Sequence, residues 1–326
     1  MVTFILRNNN SKGKSIEELF LNVHKHIERQ FSLATSLLEV PKNGISPLSV
    51  IKNIIFVSKQ KGIIHVTGDI HYVAVIPFKK IVLTVHDVKS ILSGSFLNVL
   101  IKKIFWFWLP SLFVKKITVI SNFSKNEILK VIPWASNKVE VIYNPVSQEL
   151  TNVPKEFNNL EPTVLHIGTK SNKNLKNTIL GLKGIPCKLV IVGNLDQETL
   201  GLLNNCNMYY ENYCNVTFNV IRELYEACDI VSFISLYEGF GMPIIEAQKV
   251  GRVVITSKRG AIPEIAMDSV YYVDPEDVAS INAGFRALIN DGSLRENLLK
   301  KGNLNVAKFD IHSTAAKYNR LYNSLL

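Results

Sequence analysis

Short apolar runs alternate with amphipathic stretches along most of this chain of 326 residues. The apolar runs lie at residues 2–6, 63–66, 81–85, 117–120, 139–142, 163–167, 188–192, 216–218, 230–234, 253–257 and 270–273. Runs of this length, apolar at nearly every position, are typical of strands buried on both faces of a parallel sheet. Helix start signals lie between several of them, such as the Ser-x-x-Glu box at 15–18. The alternation therefore predicts an α/β protein with doubly wound parallel sheets.

A polar stretch at 146–161 interrupts this alternation. It has little periodicity and is followed by Pro162, which predicts a linker near the middle of the chain. The alternation of strands and helices restarts directly after it. We therefore predict two domains, at residues 1–150 and 151–312, and a last helix at 313–326. A chain of this length is sufficient for two domains of ordinary size.

Basic residues are concentrated in the first half of the chain. Residues 1–155 carry 20 Lys and Arg against 9 Asp and Glu, whereas residues 156–326 carry 17 against 18. The excess predicts an anionic partner for the first half, such as a lipid phosphate or nucleic acid. No nucleic-acid recognition motif is present and the lysines lie among apolar and aromatic residues, so no nucleic-acid partner is expected. A basic nucleic-acid-binding protein is kept as an alternative.

The segment 93–116 is apolar and aromatic, and its densest part is Phe105, Trp106, Phe107 and Trp108. A basic, aromatic helix of this kind can lie on an anionic membrane surface. It can equally be a core helix that packs against the sheet, and the sequence leaves both interpretations open. No uncharged apolar stretch of about 18 residues occurs, and the start lacks a signal-peptide pattern. We expect a cytoplasmic protein, peripheral on the inner face of the membrane if it contacts one.

The stretch 235–248, SLYEGFGMPIIEAQ, carries the strongest chemical signal. It follows a predicted strand and passes through a glycine turn into a helix whose free N–H groups can bind an anion. Glu238 precedes this helix and Glu246 lies one turn inside it. Carboxylates beside an anion site repel the anion, so they are suited to holding hydroxyl groups. A nucleotide sugar carries both phosphates and hydroxyls.

The whole stretch, with its two glutamates separated by seven residues, resembles the signature of glycosyltransferase family 4, retaining enzymes with the GT-B fold. The resemblance implies two Rossmann-like domains facing each other across a cleft, with the terminal helix crossing back to the first. It also implies transfer of a sugar from a nucleotide-diphosphate sugar to a glycan or lipid-linked acceptor, as in cell-surface polysaccharide biosynthesis. Another GT-B enzyme, such as a sugar-nucleotide epimerase, and a GT-B-shaped binding subunit without catalysis are the alternatives.

Two further segments resemble this family. HIGTKSNKN, at 166–174, resembles its donor-diphosphate loop, with Lys173 at the position of the phosphate-binding lysine. Many members have Arg directly after the glycine, where this chain has Thr169. LTVHDV resembles the first-domain segment whose histidine faces the donor sugar, which makes His86 a site candidate.

The resemblance thus assigns catalytic roles to Glu238, Lys173 and His86. The residues that it assigns to donor binding are Gly168, Thr169, Lys170, Gly239, Phe240, Gly241 and Glu246. No Asp-x-Asp motif is present, and the four cysteines form no C-x-x-C pair, so we expect neither a metal nor a cofactor. Lys173, Lys170 and the helix N-terminus would neutralise the diphosphate instead.

Overall fold

The computed structural model describes residues 1–8, 15–89 and 94–326. The chain forms two compact units, one made of Met1–Pro145 together with Asp310–Leu326 and the other of Val146–Phe309. The last helix therefore belongs to the first unit. Ser93, where the predicted apolar segment begins, lies outside the described residues.

The described part of the first unit contains a six-stranded parallel sheet. Its strands are β1 (Val2–Leu6), β2 (Thr35–Glu39), β3 (Ile63–Val66), β4 (Lys80–Val85), β5 (Lys116–Val119) and β6 (Val139–Val141). They lie in the order β2-β1-β3-β4-β5-β6. The helices are α1 (Ser15–Phe31), α2 (Pro47–Ser58), α3 (Phe96–Lys102), α4 (Leu109–Phe113) and α5 (Asn122–Val131), with the terminal helix, Ile311–Asn323, added at the end of the chain. Because β1 and β3 are neighbours, the winding direction reverses between them, and a ligand site is expected at their carboxyl ends.

Two apolar cores cover the two faces of this sheet. On one face, α1 and the terminal helix bury Phe20 and Tyr322 against β1 residues such as Phe4. On the other face, α2 and the helical segment around Phe107 pack against β3, β4 and β5. A π-helical turn, Lys103–Trp108, joins α3 to α4, so that Phe96–Phe113 is one helix of 18 residues. We call it the apolar helix.

The second unit contains another six-stranded parallel sheet within the described residues. Its strands are β7 (Thr163–Ile167), β8 (Lys188–Val192), β9 (Tyr210–Tyr213), β10 (Ile230–Phe233), β11 (Val253–Ser257) and β12 (Tyr271–Val273). They lie in the order β12-β11-β10-β7-β8-β9. Its helices are α6 (Leu175–Leu182), α7 (Gln197–Asn205), α8 (Phe218–Ala227), α9 (Met242–Val250), α10 (Ile262–Ala266), α11 (Val278–Asn290) and α12 (Gly292–Val306); the terminal helix of the first unit is α13. The winding direction of this sheet reverses between β7 and β10.

The strand predicted at 216–218 is wrong. The strand in this part of the chain is β9, Tyr210–Tyr213, and Phe218 is already the first residue of α8. The sequence of β9 is YENY, and its side chains are half-buried or exposed. An edge strand pairs with one neighbour only and needs no continuous apolar run, so the apolar-run criterion does not detect it. The edge strand β2 of the first unit lacks a prediction for the same reason.

Candidate functional site

The candidate site begins where the second sheet reverses its winding direction. β7 and β10 are hydrogen-bonded neighbours there, with His166 paired to Ser232. The loop that starts at Gly168 follows β7, and the loop that starts at Ile234 follows β10. Open α/β sheets bind ligands at the carboxyl ends of strands at such a reversal. Both loops that the sequence singled out therefore lie at one place in the second unit.

Lys173 and Glu238 form an ion pair at this place. Lys173 Nζ donates to Glu238 Oε1 at 2.7 Å, and the two side chains are 21% and 13% exposed. The ammonium also lies 4.7 Å from the centroid of the Phe233 ring. Asn172 Nδ2 donates to the Tyr237 carbonyl at 3.0 Å and lies 3.4 Å from Glu238 Oε1. Two residues predicted to be catalytic are thus in direct contact, and each neutralises the charge of the other.

Gly168 lets the Lys173 side chain cross the strand end. Its φ is +94°, and a Cβ at this position would lie 3.0 Å from Lys173 Cγ and 3.2 Å from Cε. Thr169 packs against Gly193, where a Cβ would come within 2.8 Å of the Thr169 side chain. Lys170 is exposed, and its carbonyl accepts a hydrogen bond from Lys173 N at 2.8 Å. Lys170 is therefore a surface cation, whereas Lys173 is held by its contacts with Glu238 and Gly168.

The N-terminus of α9 is entered through Gly241. Gly241 has a φ of +114°, and no side chain caps the helix at that position. The first N–H groups of a helix that lacks a side-chain cap can be satisfied by water or by an anionic ligand. Phe240 is buried and its ring packs edge-on against Phe309 with centroids 5.8 Å apart. Since its side chain is in the core, only the backbone of Phe240 can meet a ligand.

Glu246 has a partner that the sequence did not indicate. The hydroxyl of Tyr225 in α8 donates to Glu246 Oε2 at 2.7 Å. Burial raises the pKa of the Glu246 carboxyl, while the Tyr225 hydrogen bond and the nearby Lys173 charge oppose that rise. Its other oxygen, Oε1, has no hydrogen-bond partner among the residues described. One oxygen of Glu246 therefore braces α8 against α9, and the other is available for a ligand hydroxyl.

Gly260 supports the backbone of Glu238. A Cβ on Gly260 would lie 2.3 Å from the Glu238 carbonyl oxygen, and Gly260 has a φ of +61°. The same carbonyl accepts a hydrogen bond from Ala261 N at 2.9 Å. Asn174 links the neighbouring loops, because its Nδ2 donates to the carbonyls of Ile234 and Pro275. The sequence signal for Gly260 is a glycine directly after a strand; Asn174 and Tyr225 carry no comparable signal.

His86 lies in the first unit, directly after β4. Its Nε2 is 2.9 Å from the Thr67 carbonyl, so Nε2 carries the proton and donates. Burial lowers the pKa of His86 to about 4, which makes the ring neutral at physiological pH. In this tautomer Nδ1 is an acceptor. His86 can therefore accept a hydrogen bond from a hydroxyl group but cannot supply a positive charge.

Arg7 and Asp69 border the same edge of the first sheet as His86. Arg7 binds Glu17 through two hydrogen bonds, of 2.6 and 2.8 Å, and lies 3.4 Å from Asp69 Oδ1. The Glu17 carboxylate raises the pKa of the Arg7 guanidinium. Within the described residues, no group of three or more His, Cys, Asp or Glu is placed to hold a metal ion.

Comparisons with known proteins agree with this architecture. A sequence profile described as Glycosyl transferases group 1 matches residues 148–304. O-antigen chain mannosyltransferase B of Escherichia coli is 25% identical over 213 residues, which are 58% of this chain and 55% of that protein. O-antigen chain mannosyltransferase RfbU of Salmonella typhimurium is 28% identical over 244 residues, which are 70% and 65% of the two chains. The chain thus spans between half and two thirds of the length of these relatives.

A solved structure extends the likeness to the whole chain. The crystal structure of Anabaena Alr3699/HepE in complex with UDP and glucose matches 99% of both chains with a TM-score of 0.78 at 16% identity. This likeness confirms the predicted α/β fold with two doubly wound units. The chain therefore has the GT-B fold, and its residues 148–304 match the sequence profile of the glycosyl transferases group 1 family.

Proposed function

We propose that this protein is a retaining glycosyltransferase that moves a sugar from a nucleoside-diphosphate sugar to a glycan or lipid-linked acceptor in cell-surface polysaccharide biosynthesis. The observation that carries the proposal is the Lys173–Glu238 pair beside the N-terminus of α9, within the matched family region. Relatives named as O-antigen chain mannosyltransferases support the sugar transfer. The family match does not favour the nucleic-acid-binding alternative.

The ion pair suggests how the donor is bound. The Glu238 carboxylate occupies the anion position beside Lys173. A donor diphosphate would take over the Lys173 ammonium and the N–H groups of α9, which favour negative charge. Glu238 would then be free to accept hydrogen bonds from sugar hydroxyls. As the anomeric carbon moves to the acceptor oxygen, the leaving diphosphate develops negative charge. The Lys173 ammonium and the N–H groups of α9 would then lie where this charge develops.

Nucleotide binding is the first test of this proposal. Thermal unfolding is followed with UDP, GDP, CDP and ADP, each added separately. A ligand that binds only the folded state at about 100 times its Kd stabilises it by about 2.7 kcal/mol. We expect one nucleoside diphosphate to raise the unfolding midpoint, and Lys173→Met to abolish the rise. No rise with any nucleotide would contradict the proposal. The sugar nucleotides of the binding base then identify the donor by release of nucleoside diphosphate.

The apolar helix supports a membrane-bound acceptor. It is the one helix in the described part of the chain that is long and apolar enough to cross a membrane. Phe107, the centre of the aromatic run, is buried in the first unit, whereas Phe96 is 85% exposed and Leu97 64%. Lys102 and Lys103 lie in the middle of the helix, where each would cost about 2.5–3.5 kcal/mol inside a bilayer. With one face in the core, the helix is suited to lying on the cytoplasmic surface of a membrane.

Two hydrogen bonds connect this helix to the acceptor side of the first sheet. Trp106 Nε1 donates to the Asp69 carbonyl at 2.7 Å, and His71 Nδ1 donates to the Trp106 carbonyl at 2.9 Å. Asp69 follows β3, at the carboxyl edge where His86 also lies. Trp106 itself is in the π-helical turn, a feature often found at functional sites. A helix seated on the membrane would therefore hold this edge close to a lipid-linked acceptor.

The membrane contact is tested with vesicles. Binding of the wild-type protein to vesicles of phosphatidylglycerol and phosphatidylcholine should weaken as salt is added, since the Debye length falls to about 10 Å at about 0.1 M. Equal binding to vesicles of phosphatidylcholine alone would contradict an electrostatic contact. Absence of binding to both would remove the membrane from the proposal and leave the transfer reaction standing.

A further inference from the structure

We infer that α2 is a second membrane-binding element, which docks on an anionic lipid bilayer beside the apolar helix. This inference rests on the membrane contact in the proposed function and extends it to a part of the chain that has no part in the donor site. The exposed apolar residues that carry it are Ile45, just before α2, and Leu48, Ile51 and Ile55 within it, at 67%, 63%, 54% and 49% exposure.

These residues form one stripe on the helix. Leu48, Ile51 and Ile55 are separated by three and four residues, the spacing that places side chains on one face of an α-helix. The opposite face is anchored, because Asn53 and Val57 are buried. Asn53 Nδ2 donates to the Lys42 carbonyl at 3.0 Å and to the Tyr72 hydroxyl at 2.9 Å. The apolar stripe is therefore exposed because of how α2 is fixed, and the helix does not need to move to present it.

The same anchor places α2 near the apolar helix. The Tyr72 hydroxyl receives the Asn53 hydrogen bond, and the Tyr72 ring lies edge-on to Trp106 with centroids 5.5 Å apart. Tyr72 belongs to the short helical turn His71–Ala74, which is buried between the two helices. The apolar helix has a second exposed stripe, formed by Phe96, Leu97 and Ile101. The two helices that carry the exposed stripes are thus both attached to one buried turn on the same face of the first sheet.

Charge identifies the partner as an anionic surface. Residues 40–126 contain 12 lysines and no arginine, against only Asp69 and Asp87. Both aspartates follow strands at the carboxyl edge of the sheet and lie on neither helix. Lys52, within α2, and Lys59, directly after its last residue, are both exposed. A second copy of this chain would bring like charges together, whereas anionic headgroups attract lysine and the acyl region accepts isoleucine and leucine.

A length of nucleic acid fits this surface poorly. Nucleic-acid sites combine positive charge with polar and aromatic side chains that stack on bases. The stripe on α2 contains only aliphatic side chains, which gain by entering the headgroup–acyl boundary. The combination of exposed Ile and Leu with lysines on one helix is that of an interfacial helix.

The test compares two triple variants for binding to vesicles of phosphatidylglycerol and phosphatidylcholine. One variant removes the α2 stripe (Leu48→Ser, Ile51→Ser and Ile55→Ser), and the other removes the stripe of the apolar helix (Phe96→Ser, Leu97→Ser and Ile101→Ser). Leu304→Ser, at a 75% exposed position in the second unit, is the matched control. We expect each triple variant to weaken binding about tenfold or more, with the control unchanged.

Folding is checked by the thermal midpoint, and Lys52→Glu with Lys59→Glu provides a second α2 variant that leaves the apolar residues intact. This charge variant should also bind anionic vesicles more weakly. If both α2 variants bind like the wild type while the apolar-helix variant does not, the inference about α2 is wrong and the membrane contact of the proposed function stands. If the wild type binds no vesicles, both fail. A dimer that is lost in the α2 triple variant would overturn the inference in favour of a second copy.

Discussion

The two glutamates of the signature differ in their surroundings, and the difference predicts different roles. Glu238 lies in the glycine loop and is paired with Lys173 at 2.7 Å. Glu246 lies one turn inside α9 and accepts from Tyr225 at 2.7 Å. Glu238 is therefore close to the charge that would develop on a diphosphate leaving group beside Lys173. Glu246 is instead hydrogen-bonded to the neighbouring helix α8.

We expect Glu238→Gln mainly to lower kcat and Glu246→Gln mainly to raise the donor KM. An interaction present only in the transition state changes kcat, whereas one that is equal in both states changes KM. A hydrogen bond to a charged group is worth about 1.5–3 kcal/mol, so each effect should be roughly tenfold or more. Steady-state kinetics with the donor identified above measures both.

Tyr225→Phe separates ligand binding by Glu246 from bracing of its helix. The change removes the hydroxyl that Glu246 Oε2 accepts from, and leaves the carboxylate in place. If Glu246 acts on the donor, Tyr225→Phe lowers stability but raises KM less than Glu246→Gln does. Equal kinetic effects of the two variants, or an unchanged KM in Glu246→Gln, would show that Glu246 only braces α9.

Buried neutral histidines predict a loss of stability in acid. Burial lowers the pKa of His65 and His166 to about 3 and that of His71 and His86 to about 4. The unfolded chain takes up protons at these positions below about pH 6.5, and the folded chain does not. Stability is therefore present above that pH and falls from about pH 6.5 to about pH 4 for His71 and His86, and to about pH 3 for His65 and His166. The loss is at most about 1.4 kcal/mol per pH unit for each ring.

The variant His166→Leu tests whether buried histidines cause this loss of stability in acid. Both ring nitrogens of His166 lack a partner of hydrogen-bonding geometry among the described residues, although the Gly168 backbone is close. Leucine removes the titrating group without breaking a side-chain bond. Urea midpoints at about pH 7 and about pH 5 should differ less in His166→Leu than in the wild type. An unchanged difference would mean that His166 does not contribute.

At the scale of elements, the site depends on loops from three parts of the second unit. The loop after β7 provides Lys173, the loop after β10 provides Glu238, and the loop after β11 provides Gly260. Parallel strands bring their carboxyl ends to one edge, which is why distant loops meet there. The glycine in the third loop sets the position of the carboxylate in the second.

Gly260→Ala should therefore displace Glu238 and lower kcat, because the new Cβ would lie 2.3 Å from the Glu238 carbonyl oxygen. Gly184→Ala is the matched control, since Gly184 has a φ of +75° and no atom within 4 Å of the added Cβ. Both variants carry the strain of a non-glycine residue at positive φ, about 1–2 kcal/mol. We therefore expect both variants to be less stable, and only Gly260→Ala to have a lower kcat per folded molecule. Equal kcat values in the two variants would contradict the role of Gly260.

At the scale of the whole molecule, charge is divided between the two units. The excess of lysine lies in the first unit, between residues 40 and 126, and the second unit is nearly neutral. The donor site of the second unit therefore relies on a few placed groups, which are Lys173, Lys170 and the helix N-terminus. The first unit instead has a broad basic surface of the kind that attracts an anionic membrane.

If these placed groups stabilise the diphosphate, turnover should not require a metal. We expect excess chelator to leave kcat and the donor KM unchanged, because lysine and helix N–H groups replace the divalent cation. The measurement is release of nucleoside diphosphate with and without EDTA. Loss of turnover that magnesium or manganese restores would overturn this prediction and assign part of the charge stabilisation to the ion.

The sequence by itself determined the features that are local along the chain. The buried strands have continuous apolar runs, so β1, β7, β8 and β11 begin and end where the pattern places them. The end of α9 follows from Gly251, whose φ of +80° favours glycine. The family resemblance and the candidate residues Glu238 and Lys173 were likewise present in short, continuous motifs.

Only the tertiary structure decided which of these local features meet. Lys173 and Glu238 are 65 residues apart, and Tyr225 and Glu246 are 21 residues apart, so each pairing depends on the order of the strands. The sequence also left open how the apolar helix packs, because its composition is the same whether a face is buried or exposed. Packing against the first sheet buries Phe107 and leaves Phe96 in solvent. Contacts between distant residues are set by the packing of whole elements, and no local pattern records them.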